Sequence, residues 1–229
     1  MPVKFTGGLA HNLEAYAIVP VIVNWAGGVT SAPSREASFG GLGDLFLAFK
    51  YQLLAETACR PTVTALLGAD FPTGHHFRLK PARLGTDALG TGTYALVLGT
   101  NLSKWFNPFY LHANLWYSIP FSNPGTVANQ QSGPLQVSVH GRDQITWNLA
   151  AEWVLTPRWV LLLEFYSTWD VGPLFRTSPE PRSALLGVLP GLECNLSAHW
   201  AWEVGVAVDL AGKYSFANVT PIFTVIAKY

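Results

Sequence analysis

The sequence predicts an all-β fold, a transmembrane antiparallel up-and-down β-barrel, from its composition and its residue alternation. The chain of 229 residues is 49% hydrophobic and 12% charged, whereas soluble domains carry about 25% charged residues. A transmembrane helix needs about 18 or more consecutive apolar residues, and the apolar runs here, such as 159–163, are far shorter. A membrane-like composition without spanning helices favours a closed barrel, because every backbone polar group in lipid must be bonded internally.

Alternation of apolar and polar residues with period two recurs in ten segments, which predicts ten strands. Each segment has about 10 to 14 residues, the length of a tilted membrane strand. We expect one barrel domain over residues 1–229, with strands near 12–24, 43–54, 62–71, 92–103, 108–121, 144–155, 159–169, 183–196, 200–210 and 218–229. The apolar side falls on even positions in the strands at 92–103, 183–196 and 200–210, and on odd positions in the other seven.

The charged residues of these strands test the assignment, because they were not used to choose the apolar side. All ten lie on the opposite parity: Glu14, Asp44, Lys50, Asp70, Glu152, Glu164, Glu193, Glu203, Asp209 and Lys228. With a side-chain period of two, chance would give this result about once in a thousand sequences. A charge that faces lipid costs up to about 2–4 kcal/mol, which explains the segregation physically.

The connections between the predicted strands alternate between long and short. The long ones are 25–42, 72–91, 122–143, 170–182 and 211–217, and the short ones are 55–61, 104–107, 156–158 and 197–199. Long outer loops and short periplasmic turns are typical of bacterial outer-membrane barrels. Aromatic residues near the short turns, as an interfacial girdle requires, are Trp105, Phe106, Trp153, Trp159, Trp200 and Trp202. We expect the export signal to have been removed or replaced, because the N-terminus has no apolar core segment.

Several classes of partner and cofactor are not expected. With 14 acidic and 14 basic residues the net charge is zero, and the scattered basic residues give no nucleic-acid footprint. Cys59 and Cys194 are too few for a disulfide scaffold and lack the spacing of a metal site. We therefore predict no nucleic-acid partner, no metal and no cofactor, with membrane lipid as the surrounding partner.

Five short segments, spread over most of the chain, resemble a known family. They are Gly-Leu-Ala-His-Asn-Leu-Glu at 8–14, Gly-Leu-Gly-Asp-Leu at 41–45 with Lys50-Tyr51, Asp-Phe-Pro-Thr-Gly at 70–74, Gly-Thr-Gly-Thr at 90–93, and Leu-Pro-Gly-Leu at 189–192. The chain resembles the bacterial outer-membrane family of meta-pathway phenol-degradation proteins, often called transporters. The resemblance implies a barrel in the outer membrane and a role with aromatic compounds. Family members usually carry a further N-terminal strand or hairpin, so a full-length form would have twelve strands. Here only Val3–Phe5 precedes the first motif, and the parity of the charges favours ten.

The residues predicted to face the lumen are the candidates for binding and selectivity. They are Glu14, Asp44, Lys50, Asp70, His112, Asn114, Trp116, Glu152, Glu164, Glu193, Glu203 and Asp209. An excess of acids favours cations or proton sharing between neighbouring carboxylates. The same face also holds apolar residues, among them Phe46, Leu66, Leu162 and Leu185. These would suit a small hydrophobic or aromatic ligand, and they would equally suit a lumen plugged by its own side chains.

The expected function is passive passage or binding of small hydrophobic or aromatic molecules, and two alternatives remain. A structural subunit of a cell-envelope assembly would pack on another envelope protein through its small and aromatic outward residues, Ala15, Ala17, Trp25, Ala113, Trp147, Ala151 and Trp202. A barrel enzyme would have a loop-borne site, and its candidates are Asp70, His75, His76 and Asp87 near the second outer loop, with His140 and Asp143 in the third. Because no Gly-x-Ser-x-Gly elbow is present, we predict no enzyme and no catalytic residues.

Overall fold

The fold was described from a computed structural model, which covers residues 2–26, 36–76, 79–121, 123–129, 133–139, 142–171, 183–213 and 219–227. These residues form fourteen strands and one short 3-10 helix, Pro81–Arg83. Within the described ranges, no helix is long and apolar enough to span a bilayer. The strands and their antiparallel pairing confirm the predicted all-β class. Lys228 and His140 lie outside the described residues.

The strands pair in an order that follows the chain. Their bounds are β1 Pro2–Ala10, β2 Leu13–Ala26, β3 Ala37–Leu42, β4 Leu45–Leu54, β5 Thr62–Phe71, β6 Tyr94–Phe106, β7 Phe109–Phe121, β8 Asn123–Asn129, β9 Gly133–Val139, β10 Asp143–Val154, β11 Trp159–Val171, β12 Ala184–Asn195, β13 Trp200–Lys213 and β14 Val219–Ala227. Twelve of them form one antiparallel sheet in the order β1-β2-β4-β5-β6-β7-β10-β11-β12-β13-β14, with β3 paired to β2. Strands β8 and β9 form a separate hairpin.

The sheet has twelve strands where the alternation predicted ten, and both additional strands lie in the N-terminal quarter. Strand β1 pairs with β2 from Pro2↔Pro20 to Ala10↔Leu13; its alternation is short and is interrupted by Gly7-Gly8, which removes the apolar signal. Strand β3 pairs Ala37–Leu42 with the end of β2, inside the segment that was predicted as a loop. Three glycines between 40 and 43 hide its periodicity.

Most of the strands whose side chains are described expose apolar residues on one side, which is the opposite of what a soluble sheet does. In β4 the side chains of Phe49 and Leu53 are 50% and 56% exposed, whereas Ala48, which precedes Phe49, is 2% exposed. In β2 the exposed fraction of Trp25 reaches 80%. Large exposed apolar areas mark contact with lipid or protein, and an outward apolar band is the signature of a membrane barrel. We call the exposed apolar side of each strand the outer face, and the opposite parity the inner face.

Contacts divide the described chain into two compact units. The first comprises residues 1–49, 67–97 and 119–141, and the second comprises residues 50–66, 98–118 and 142–229. In the first unit β2 pairs with β1 and with β3. The loop 72–93, of which residues 72–76 and 79–93 are described, accepts a hydrogen bond from β2, from Asn24 Nδ2 to Thr86 O at 3.1 Å. In the second, β7 pairs with β10, and the ladders continue through β11, β12 and β13 to β14. The single domain over 1–229 stays a prediction.

Candidate functional site

All twelve predicted lumen residues are half-buried and lie on the inner face or at its margin. Some of their neighbours in sequence, such as Phe49, Leu115 and Phe165, are exposed apolar residues of the outer face. This placement follows from the strand geometry, because successive side chains point to opposite faces. The contacts of these residues differ between the two units, and each unit is described in turn.

In the second unit the strand register brings three of the predicted residues together. Ala150 pairs with His112 on one side and with Glu164 on the other, so these side chains share a row on the inner face. His112 Nε2 lies 3.1 Å from Glu152 Oε1, and Asn148 donates a hydrogen bond to the Glu164 carboxylate. His112 therefore lies near two carboxylates, those of Glu152 and Glu164.

The neighbouring row links Asn114 and Asp209 to residues that the sequence analysis did not single out. Asn114 pairs with Asn148, and Asn148 with Tyr166. The Tyr166 hydroxyl donates to Asp209 Oδ1 at 2.8 Å, although the two residues lie on β11 and β13. The ring reaches Asp209 by passing over Gly187 of the intervening strand, where a Cβ would lie 2.5 Å from Tyr166 Cε2.

Aromatic side chains lie over inner-face glycines at two further positions. Trp116 donates from Nε1 to Asn101 Oδ1 at 2.9 Å, and a Cβ on Gly99 would lie 3.1 Å from its Cγ. In the first unit, a Cβ on Gly68 would lie 2.5 Å from Phe46 Cζ. Each ring occupies space that a Cβ on the glycine of the adjacent strand would need. A glycine on the inner face of the adjacent strand is therefore the sequence feature from which these aromatic positions could have been predicted.

Two of the predicted acids face each other directly. Glu193 pairs with Glu203 across β12 and β13, close to the short turn between these strands. Like charges in opposed positions of a sheet are destabilising by themselves. Because both carboxylates lie on the inner face, the pair also adds to the negative potential of that face.

In the first unit, Asp44 holds the loop 72–93 against the sheet. Gly74 N donates to Asp44 Oδ1 at 3.0 Å, while Thr91 N and Thr91 Oγ1 donate to Oδ2 at 2.6 and 2.9 Å. Thr73 Oγ1 donates to Gly43 O at 2.9 Å and accepts from Leu45 N at 3.0 Å. Three of the family-like segments, 41–45, 70–74 and 90–93, thus meet at one carboxylate. Both oxygens of Asp44 are committed to the loop.

The remaining predicted residues of the first unit, Glu14 and Asp70, interact with Tyr16 on the inner face. Tyr16 is 6% exposed, and its ring centroid lies 5.8 Å from that of Phe46. Asp70 in turn interacts with Asp44. Lys50, which belongs to the second unit, is half-buried on β4.

The loop residues considered for catalysis take part in local structure. His75 Nδ1 lies 2.8 Å from Asp87 O, and His76 Nδ1 lies 2.8 Å from Gly74 O. Asp87 is fully buried, and its Oδ2 accepts from Lys80 N at 2.8 Å. Asp143, 1% exposed, accepts from the Tyr117 hydroxyl at 2.7 Å. Among the described residues, no three His, Cys, Asp or Glu side chains are grouped to hold a metal ion.

Comparison with known proteins agrees with this architecture. A family model described as "Putative MetA-pathway of phenol degradation" matches residues 3–220. Among solved structures, the chain is similar to the COG4313 outer membrane channel from Pseudomonas putida F1, with a TM-score of 0.65 and 13% sequence identity. The alignment covers 98% of this chain and 79% of that one. No curated protein sequence matches the chain. The predicted resemblance and barrel class are confirmed. The outer-membrane location is confirmed together with the fold, since such barrels have a lipid-facing band.

Proposed function

Because the chain belongs to the family described as "Putative MetA-pathway of phenol degradation", we propose that it serves the passive passage or binding of small hydrophobic or aromatic molecules across the outer membrane. One observation carries the proposal: the inner face of the second unit combines half-buried apolar and aromatic side chains with a few fixed polar groups. Trp116, Leu162, Leu185 and Leu189 are half-buried, so part of each remains accessible. Ligand sites usually combine an apolar lining with a few placed polar groups.

A non-enzymatic role is part of the proposal. The structural neighbour is described as a channel, which supports passage over catalysis. The histidine ring nitrogens of the loop 72–93 contact main-chain carbonyls, an arrangement that serves loop structure. Membrane lipid and a small hydrophobic ligand are the proposed partners. An envelope protein partner remains the alternative, with the outward alanines as its contact surface.

Passage is tested by measuring uptake of toluene, and of a sugar of similar size, through the outer membrane. The cells have the chromosomal gene deleted and are compared with and without a plasmid that carries the gene. We expect the plasmid to raise toluene uptake more than sugar uptake. The variant Leu162→Asn should reduce toluene uptake about threefold, because placing a polar group in an apolar lining costs about 1 kcal/mol or more. The control Thr168→Asn changes a polar residue on the same face of β11 and should leave uptake unchanged. Equal uptake with and without the gene would favour the structural alternative.

Ion selectivity tests whether the acids of the inner face border the pathway. Glu152→Gln combined with Glu164→Gln removes two negative charges beside His112. We expect the preference for K⁺ over Cl⁻, measured as a reversal potential in planar bilayers, to fall about twofold, because rings of acids select cations in pores. Glu36→Gln, an exposed acid before β3, is the control. An unchanged preference in the double variant would place these acids off the ion path, as a plugged lumen requires.

A further inference from the structure

The outer face of the second unit is hollowed where alanines replace larger residues. Ala113 pairs with Leu149 across β7 and β10, and Ala151 pairs with Leu111 on β7 and Leu163 on β11. The small side chains leave a groove of about 580 Å³ between their larger neighbours. Sites that hold one organic molecule have about 300–1,000 Å³. The groove therefore has the size of a binding site and opens on the side that faces lipid.

The short turn 55–61 forms one wall of this groove, with Ala58, Cys59 and Pro61 in its lining. Glu56 ties the turn to β6: its Oε1 accepts from Trp105 N at 3.2 Å and lies 3.4 Å from Lys104 Nζ. Lys104 Nζ also donates to Thr57 O. Because these bonds hold the wall in place, the groove is formed without an occupant.

The end of the groove beside the turn is basic. Lys104 of β6 is part of the lining, and Arg60 lies in sequence between Cys59 and Pro61, which also line the groove. The two positive charges and the single negative charge of Glu56 sum to +1. The Arg60 side chain is exposed, and its Nε donates a hydrogen bond to Ala55 O at 3.2 Å. This bond involves one of the five N–H donors of the guanidinium. The remainder of the lining is almost entirely apolar, including Leu102, Leu163 and Phe165.

We propose that this groove binds a phospholipid, with an acyl chain along the alanines and the phosphate at Arg60 and Lys104. The inference concerns the outer face and is independent of the proposed passage along the inner face. We infer this occupant because the groove combines an apolar trough with a basic end, and an amphipathic anion has the complementary features. Basic residues where strands leave the hydrocarbon layer attract anionic headgroups. A flat protein contact would need a much larger area, about 800 Å² from each partner.

The two cysteines provide the test. Cys59 lines the groove and is exposed, whereas Cys194 is 1% exposed and serves as an internal reference. The purified protein in nonionic detergent is reacted with a maleimide while phosphatidylglycerol or phosphatidylcholine is added. At a phosphatidylglycerol concentration about ten times the dissociation constant, the rate at Cys59 should fall about tenfold, because mainly the unoccupied fraction reacts. Phosphatidylcholine should protect less, because its headgroup carries no net charge.

Three variants separate the components of the site. Ala113→Trp fills the trough and should make the Cys59 rate independent of lipid, whereas Ala17→Trp, on the outer face of β2, should leave the protection intact. Arg60→Gln changes an exposed side chain and should remove the preference for phosphatidylglycerol without affecting folding. A Cys59 rate that ignores lipid in the unaltered protein, or protection that persists in Ala113→Trp, would overturn the proposal. Protection that follows protein concentration and not lipid would identify a second copy as the occupant and would also overturn it.

Discussion

Replacing Asp44 with alanine is expected to lower the free energy of unfolding by about 2–4 kcal/mol, since hydrogen bonds to a charged acceptor contribute about 1.5–3 kcal/mol each and this site is partly exposed. The substitution leaves Gly74 N, Thr91 N and Thr91 Oγ1 without their acceptor. The loop 72–93 should open before the strands separate, because these contacts hold it to β4. Urea unfolding in phospholipid vesicles measures the global effect, and the rate of proteolysis within 79–93 measures the local one.

The control for Asp44 is Glu36→Gln, which changes an exposed acid of the same unit. It should leave both the unfolding midpoint and the proteolysis rate unchanged. If Asp44→Ala unfolded like the unaltered protein and its loop resisted protease equally, the carboxylate would not be the anchor of the loop. Asp44→Asn should give an intermediate result, because one oxygen can still accept while the amide nitrogen repels a donor.

Replacing Gly187 with valine is expected to destabilise the barrel by about 2–4 kcal/mol, since overpacking costs about 1–3 kcal/mol and a hydrogen bond is lost as well. The new Cβ would enter the space of the Tyr166 ring. The ring must then leave the sheet, and its hydroxyl must release Asp209 Oδ1. Urea unfolding in vesicles, followed by tryptophan fluorescence, measures the loss.

A double-mutant cycle distinguishes this clash from a general intolerance of valine. Tyr166→Ala combined with Gly187→Val should be less destabilised than the sum of the two single changes, by about 0.5–3 kcal/mol, as for other residues in contact. The matched control is Gly7→Val in β1, where a Cβ meets no atom within 4 Å, and its effect should stay within about 0.5 kcal/mol. Additive losses at Tyr166 and Gly187 would show that the ring does not depend on the glycine.

Much of the fold could be predicted from local pattern, because the period of a strand is a property of neighbouring residues. The segment near 62–71 corresponds to Thr62–Phe71 and that near 159–169 to Trp159–Val171. Strands β1 and β3 were missed for the same physical reason. Glycines replace side chains in both, and a pattern of apolar side chains cannot be seen where there are none.

The candidate site could be predicted as a face and not as a set of contacts. The inner parity of Glu152, Glu164 and Asp209 follows from counting along each strand. Their partners depend on register: His112 lies 40 residues from Glu152, and Tyr166 lies 43 residues from Asp209. Asp44 was predicted to line the lumen, but its bonds to Gly74 and Thr91 span 30 and 47 residues. Those contacts depend on how the loop 72–93 folds back.

The sequence by itself determined the barrel class and the outward apolar side, because lipid selects the exposed parity residue by residue along each strand. The tertiary structure decided the rest: the twelve strands, the aromatic rings laid over glycines, the loop held by Asp44, and the groove beside the turn 55–61. These features join residues that are distant in the chain and adjacent across strands. Strand register and loop closure fix such pairs, and neither is encoded in the local alternation.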